Sequence, residues 1–139
     1  MLNKKIGKEK LHKHIILVVE DERPLQEAIK AKLIKEGFEV VTARAVREAY
    51  NFLKDIKNVE AIWLDHYLLG QENGLDFVVA VKENNQWIKI PIFVVSNTAS
   101  PDKVQTYLRL GVHKYYTKAD NRLDQIIKDI KKFLNKGEE

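Results

Sequence analysis

The sequence predicts an α/β protein built on a doubly wound, five-stranded parallel sheet, in a (βα)₅ arrangement. Five short apolar runs alternate along the chain with five amphipathic stretches. The apolar runs are rich in β-branched and aromatic residues, and most are apolar throughout, as in strands buried on both faces. The amphipathic stretches repeat their apolar residues at helical spacing, so each is expected to pack one side against the sheet.

The predicted strands are all short, with four to six residues each. They are His14–Val19, Phe38–Thr42, Ala61–Leu64, Pro91–Val95 and Lys114–Thr117. Since a helical stretch separates each strand from the next, neighbouring strands are expected to run parallel.

The first three helices follow from apolar spacing and from residues that favour helix ends. Pro24 suits the first turn of the first helix, and Gly37 suits its C-terminal end. The apolar stripes of the second and third helices are shorter. The residues predicted to face the sheet are Leu25, Ala28, Ile29 and Leu33 in the first helix, Val46, Ala49, Tyr50 and Leu53 in the second, and Leu75, Val78 and Val79 in the third.

The last two helices have clearer boundaries. Pro101 follows Ser100 at the start of the fourth helix, and Gly111 is predicted to end it. Asp120 is predicted to cap the N-terminus of the fifth helix. The residues predicted to face inward are Val104, Tyr107 and Leu108 in the fourth helix, and Leu123, Ile126, Ile127, Ile130, Phe133 and Leu134 in the fifth.

The 139 residues suffice for one domain with a substantial core, and the net charge of +4 lies in the first segment. Residues 1–14 hold five of the 24 basic residues and one of the 20 acidic residues, which leaves 19 of each in the remainder. We therefore predict a basic N-terminal extension at 1–13 and a folded domain at 14–136. Direct binding of nucleic acid by the folded domain is not expected, because that domain carries no net charge.

Cysteine is absent from the chain, which excludes disulfides, thiolate chemistry and zinc–sulfur sites. The longest apolar runs are no longer than strands, so no membrane span and no signal peptide is predicted. These features fit a protein of the reducing cytoplasm.

Reactive side chains follow four of the predicted strands, at the edge where α/β sheets bind ligands. Glu20 and Asp21 follow the first strand, Asp65 the third, Ser96 the fourth and Lys118 the fifth. Each residue alone is as well explained as part of a solvated turn, a helix cap or a loop. Their coincidence at one edge of one sheet favours a common site.

The chemistry that suits this set is phosphoryl transfer. Clustered carboxylates repel one another unless a cation joins them, and Mg²⁺ prefers such oxygen ligands. Asp65 is then a candidate nucleophile that forms an aspartyl phosphate. Lys118 and the Ser96 hydroxyl are placed to stabilise the phosphoryl oxygens.

These residues resemble the receiver domains of two-component response regulators, over roughly residues 14–135, and in particular stand-alone receivers of the chemotaxis-regulator type. The resemblance is carried by Ile-Leu-Val-Val-Glu-Asp-Glu at 16–22, Trp-Leu-Asp-His-Tyr-Leu at 63–68, Asn-Gly-Leu-Asp at 73–76, Val-Val-Ser-Asn-Thr-Ala at 94–99 and Tyr-Tyr-Thr-Lys at 115–118. The spacing also agrees, with 44 residues from Asp21 to Asp65 and 22 from Ser96 to Lys118. The resemblance implies the flavodoxin-like strand order 2-1-3-4-5.

The resemblance also implies a role for each site residue. Asp65 is the expected phospho-acceptor, loaded by a sensor histidine kinase, a histidine phosphotransfer protein or a small phosphodonor. The implied ligands of Mg²⁺ (or Mn²⁺) are Glu20, Asp21, Asp65 and the backbone carbonyl of Tyr67. Ser96, Tyr115 and Lys118 are the implied switch and phosphoryl-contacting residues. The fourth helix, fifth strand and fifth helix form the implied surface for a downstream protein.

Three features near the site have particular consequences. Tyr67, Asn97 and Thr98 are candidates for tuning the lifetime of the phospho-form, which is expected to last minutes or more. Ala119 stands where the family usually has proline, so a trans Lys118–Ala119 peptide bond is predicted, because a cis bond before a non-proline residue costs ~2.5–4 kcal/mol. His66 is expected to point to solvent.

Other functions remain possible on the sequence alone. An aspartyl-phosphate phosphatase also uses an aspartate at a strand end, but usually carries a second aspartate two residues later, where this chain has Tyr67. A receiver fold that binds partners without phosphorylation is a second alternative, and a tail that binds nucleic acid or an anionic surface is a third. The chain is expected to be a monomer or a weak dimer, and not a turnover enzyme on external substrates.

Overall fold

The computed structural model describes residues 13–98 and 100–136, and its elements alternate as predicted. In chain order they are β1 Ile15–Val19, α1 Arg23–Lys35, β2 Glu39–Ala43, α2 Val46–Asp55, β3 Val59–Leu64, α3 Gly74–Lys82, β4 Ile92–Ser96, α4 Pro101–Arg109, β5 Lys114–Thr117 and α5 Leu123–Lys136. The predicted N-terminal extension lies, apart from Lys13, outside the described residues.

The five strands form one parallel sheet in the order β2-β1-β3-β4-β5, which confirms the predicted fold class and strand order. All five predicted strands are present, with ends that differ from the predicted ones by two residues at most. The largest difference is at β3, which begins at Val59 rather than Ala61. Its pairing with β1 shifts register between Ile15 and Ile16, because Glu60 is an extra residue on the β3 side.

Two hydrophobic cores lie on the two faces of the sheet, which explains why the strands are apolar at successive positions. In β1, Ile16 and Val18 face the core under α1 and α5, whereas Leu17 and Val19 face the core under α2, α3 and α4. All four side chains are fully buried. A strand buried on both faces shows no alternation of polar and apolar residues.

Three residues that were predicted to face inward are instead exposed. They are Val79 in α3, Leu108 in α4 and Phe133 in α5, with 39%, 42% and 38% of their surface accessible. Because α3 and α4 are short, each presents only a narrow stripe of side chains to the sheet. In α3 this stripe includes Phe77 and Val78, and in α4 the one buried residue is Tyr107. Phe133 packs against the ring of His113 at the surface, with ring centroids 4.1 Å apart.

The predicted helix ends are correct for α4 and wrong for α5. Pro101 is the first residue of α4, and Gly111 follows its end with a φ of 97°, a conformation that glycine adopts without strain. Asp120 does not cap α5, which begins three residues later at Leu123. Its carboxylate instead accepts a hydrogen bond from the Thr117 hydroxyl (2.9 Å), within the turn that follows β5.

Within residues 13–98 and 100–136, no helix combines the length and the apolar composition that crossing a bilayer requires.

Candidate functional site

The carboxylates that follow β1 and β3 come together because these two strands are neighbours in the sheet. The backbone N–H of Asp65 donates to the carbonyl of Val19, which extends the pairing of the strands to the site (3.0 Å). One oxygen from each of Glu20, Asp21 and Asp65 lies within 4.8 Å of the others. The structure thus gathers the three predicted acidic residues into one cluster.

Lys118 reaches this cluster from the end of β5. Its Nζ lies 3.0 Å from Oε1 of Glu20 and 3.4 Å from Oδ2 of Asp65. Its backbone N–H donates to the carbonyl of Ser96, so the end of β4 holds the start of the following turn (2.8 Å). The Lys118–Ala119 peptide bond is trans, as predicted.

Burial dominates the electrostatics of the two inner carboxylates. Glu20 is 1% exposed, and burial raises its pKa from the usual 4.5 to about 7, an effect that Lys118 and the Glu22 N–H only partly oppose. Burial also raises the pKa of Asp65, against the lowering effects of Lys118 and the His66 N–H. The pKa of Lys118 is raised, because burial, which would lower it, is outweighed by the two carboxylates.

The donor set fits a hard divalent cation. All three clustered groups offer carboxylate oxygens, which Mg²⁺ and Mn²⁺ prefer, and the described residues bring no sulfur or imidazole ligand to the cluster. Two of the three carboxylates are buried, and among the residues that the structure describes Lys118 supplies the one ammonium bonded to them. A metal cation, in addition to the Lys118 ammonium, would therefore relieve the repulsion that remains among the three carboxylates.

Two further residues hold the backbone of the cluster, and neither was predicted from the sequence. Gln26, buried in α1, donates through Nε2 to the carbonyls of Glu20 (2.9 Å) and Ala43 (3.2 Å). Arg44 donates through Nε to the carbonyl of Asp21 (2.9 Å). Neither belongs to a local motif; a glutamine among the apolar positions of α1 was the only available signal.

Ser96 and Tyr115 lie beside the same loop after β4. Ser96 is the last residue of β4 and is fully buried, and its Oγ accepts a hydrogen bond from the Thr98 N–H (3.4 Å). The Tyr115 hydroxyl donates to the Thr98 carbonyl (2.8 Å). Asn97, between Ser96 and Thr98 in the chain, is exposed. Thr98 thus connects the two predicted switch residues.

The prediction that His66 points to solvent is wrong. His66 is 4% exposed, and its Nδ1 lies 2.6 Å from the hydroxyl of Tyr107 in α4. Its backbone N–H donates to Oδ1 of Asp65 (2.7 Å). The buried hydroxyl of Tyr107 needs a polar partner, which a histidine facing solvent would not supply.

Tyr67, the next residue in the loop, is 56% exposed and lies against the start of α4. The Nζ of Lys103 is 5.2 Å from the centre of its ring and 3.5 Å from its hydroxyl. The ring also meets the edge of His66, with centroids 4.7 Å apart. Two consecutive loop residues therefore contact two residues of α4 that are one helical turn apart.

Comparison with known proteins places the chain among signalling proteins. The sequence profile of the response regulator receiver domain matches residues 16–131. The chemotaxis protein CheY1 of Helicobacter pylori is 31% identical over 104 residues, which cover 74% of this chain and 83% of that protein. A hybrid signal transduction histidine kinase of Dictyostelium discoideum is 32% identical over 112 residues, but the chain spans only 6% of its length.

Solved structures agree with this assignment. The phosphorylated cyanobacterial phytochrome response regulator RcpA superposes with a TM-score of 0.78 at 28% identity, over 88% of this chain and 94% of that one. A response regulator receiver protein from Pseudomonas putida shares the fold, with a TM-score of 0.80 at 23% identity, over 87% of this chain and 98% of that one. The profile match and the chemotaxis relative show that the chain, which shares the fold of these structures, belongs to the response regulator receiver domain family.

Proposed function

We propose that this chain accepts a phosphoryl group on Asp65 from a sensor histidine kinase or a histidine phosphotransfer protein, and signals by a change in its surface. The observation that carries the proposal is the set of contacts at Asp65. The His66 N–H donates to Oδ1 (2.7 Å), and Lys118 lies 3.4 Å from Oδ2. A buried carboxylate held in this way is oriented for attack on a phosphorus atom.

The transfer itself needs few protein groups. An oxygen of Asp65 attacks the phosphorus of a phosphohistidine as the P–N bond breaks, and the donor ring, protonated on its other nitrogen, leaves as neutral imidazole with the bonding electron pair. The product is an aspartyl phosphate. The side chain of Lys118 is 17% exposed. Its ammonium stabilises the negative charge that the phosphoryl oxygens bring into the site.

Glu20, Asp21 and Asp65, with the backbone carbonyl of Tyr67, would hold Mg²⁺ or Mn²⁺. When bound, the ion neutralises charge on the carboxylates and on the transferred phosphoryl group. The grouping of three carboxylate oxygens within 4.8 Å of one another supports this assignment. We assign the receiver domain to residues 14–136 and the basic extension to 1–13.

The signal is proposed to leave through the surface formed by α4, β5 and α5. Ser96, at the end of β4, and Tyr115, in β5, both hydrogen-bond to Thr98 and are the proposed switch residues. Phosphorylation would shift the population between two packings of this region, and a downstream protein would bind one of them better.

The test is phosphorylation followed by intact mass. The protein is incubated with Mg²⁺ and phosphoramidate, beside an EDTA control and two variants, Asp65→Ala and Asp55→Ala. Asp55 is an exposed aspartate at the end of α2, so its variant controls for loss of a carboxylate. We expect one phosphoryl adduct on the wild type and on Asp55→Ala, and none on Asp65→Ala or in EDTA. An adduct on Asp65→Ala, or no adduct on folded wild type, would refute the proposal.

The lifetime of the phospho-form gives a second prediction. Tyr67→Ala is expected to speed loss of the phosphoryl group by about threefold or more, because the Tyr67 ring, held against Lys103 and His66, obstructs an in-line water. Intact mass against time after removal of the donor measures the rate. Leu69→Ala, an exposed residue of the same loop, is the control. An unchanged rate in Tyr67→Ala would end the shielding hypothesis.

A further inference from the structure

Tyr107 joins α4 to the loop that follows the phospho-acceptor strand. It is the one buried residue of α4 and is fully inaccessible to solvent. Its hydroxyl lies 2.6 Å from Nδ1 of His66, and the two rings meet edge to face with centroids 5.8 Å apart. The bond is buried at both ends, so neither group has water as a substitute partner.

His66 in turn makes the only backbone hydrogen bond to the Asp65 carboxylate among the described residues. Its N–H donates to Oδ1 (2.7 Å), and Lys118 contacts the other oxygen. Its carbonyl accepts from the N–H of Gly74 (2.8 Å). With the side chain held by Tyr107 and the carbonyl held by Gly74, the His66 peptide groups have a fixed direction.

Gly74 provides the space in which this arrangement fits. A Cβ at position 74 would lie 2.5 Å from the Tyr107 hydroxyl, 2.7 Å from the carbonyl oxygen of Asp65 and 3.1 Å from Cα of His66. Only glycine allows the hydroxyl to approach the loop so closely. Gly74, His66 and Tyr107 therefore pack together against the backbone of Asp65.

Burial favours the neutral form of both members of the pair. Burial lowers the pKa of His66, with Lys103 adding to the effect, and burial raises the pKa of the Tyr107 hydroxyl. The contact is satisfied when the hydroxyl donates to Nδ1 and the ring proton is on Nε2, or when Nδ1–H donates to the hydroxyl oxygen. In either form, removing the hydroxyl leaves the imidazole nitrogen without a partner.

We propose that Tyr107 is a positioning residue that holds, through His66, the carboxylate of Asp65 in the orientation needed for phosphoryl acceptance. The proposal rests on the proposed function of Asp65. The contacts from Tyr107 through His66 to Asp65 connect α4 to the phospho-acceptor, and they are separate from the contacts that join Ser96 and Tyr115 through Thr98. A protein that moves α4 on binding would then also change the rate at which Asp65 is phosphorylated.

The test compares two tyrosine variants. Tyr107→Phe removes the hydroxyl and keeps the ring. Tyr116→Phe is the matched control, because Tyr116 is also buried and its hydroxyl donates to Asp129 (2.8 Å) in the other core. Initial rates of phosphorylation by phosphoramidate with Mg²⁺ are measured by intact mass, well below the unfolding temperature of each variant. We expect Tyr107→Phe to be about 3- to 10-fold slower than wild type and Tyr116→Phe to stay within about 2-fold.

Variants of His66 show whether Tyr107 acts through it. Asn carries a polar atom near the position of Nδ1, so His66→Asn is expected to keep a rate close to that of the wild type, whereas His66→Leu should be as slow as Tyr107→Phe. In the His66→Leu background, Tyr107→Phe is expected to cause no further loss, because the two residues act as a unit. A purely stabilising role predicts equal rates for all folded variants.

The outcomes separate this proposal from the proposed function. No adduct on the wild-type protein would overturn both. An adduct that forms at the same rate on Tyr107→Phe and wild type, or additive losses in the double variant, would overturn the positioning role alone. Slower phosphorylation of Tyr107→Phe with a normal Tyr116→Phe and non-additivity with His66→Leu would establish it.

Discussion

Glu20→Gln is expected to stabilise the protein by about 2–3 kcal/mol at pH 8 in EDTA, although it removes a charged group of the proposed metal site. Glu20 is 1% exposed, and burial raises its pKa to about 7 in the folded protein. The Glu20 carboxyl group therefore binds its proton more tightly in the folded protein than in the unfolded chain. The contribution of Glu20 to stability falls as pH rises from 4.5 to about 7, and the full cost is present above pH 7.

The gain should consequently depend on pH. Glutamine carries no charge, so Glu20→Gln and wild type should differ by less than about 1 kcal/mol at pH 4.5 and by the full amount at pH 8. Urea unfolding at both pH values measures the difference, with exposed Glu27→Gln as the control. Millimolar Mg²⁺ should stabilise the wild type at pH 8 and the variant much less. Equal gains at both pH values would contradict the assignment of the cost to the Glu20 charge.

The fold could be predicted from the sequence because its signals are local and repeated. Continuous apolar strands such as Ile16–Val19 occur only where both faces of a sheet are covered, and helical spacing between them leaves few topologies. Boundaries were less certain where a charged residue stands within an element. The start of β3 was predicted two residues too late, at Ala61, because the charged side chain of Glu60 interrupts the apolar run although its backbone continues the strand.

Which side of a short helix faces the sheet could not be read from the sequence. In α3, Phe77, Val78 and Val79 are consecutive apolar residues, and a nine-residue helix offers too few turns for periodicity to choose between them. In α4, Tyr107 and Leu108 present the same ambiguity. The tilt of each helix on the sheet decides the outcome, and that tilt depends on neighbours distant in sequence.

The site was predictable where the topology alone brings residues together. Asp65 and Lys118 directly follow β3 and β5 of one parallel sheet, so both lie at the edge formed by the carboxyl ends of the strands. The contact between His66 and Tyr107 joins residues 41 positions apart and depends on how α4 lies over the loop. Neither residue type signals such a partner, because histidine in a loop is usually solvated and tyrosine on an apolar helix face is usually part of a core.

Lys118→Met is expected to lower the free energy of unfolding by about 3 kcal/mol at pH 8 in EDTA. Its ammonium contacts both Glu20 (3.0 Å) and Asp65 (3.4 Å), and both carboxylates are almost completely buried. Methionine keeps most of the volume of the side chain and removes its charge. Above pH 7 the variant must bury two neighbouring carboxylates without the ammonium, or bind a proton that the unfolded chain would release.

The loss should shrink to about 1 kcal/mol at pH 5, because Glu20, whose pKa is about 7 even beside Lys118, is already protonated there. For the same reason, Lys118→Met should cost less in the Glu20→Gln background than in the wild type, since one of the two buried charges is gone. Lys131→Met, which removes an exposed ammonium 3.1 Å from Glu36, is the surface control and should change stability by less than about 0.5 kcal/mol. A loss for Lys118→Met that is equal at pH 5 and pH 8 would show that packing of the lysine chain, and not its charge, stabilises the site. A loss confined to high pH and reversed by Mg²⁺ would show that the buried carboxylates require a cation, and that Lys118 and the proposed metal each meet part of that requirement.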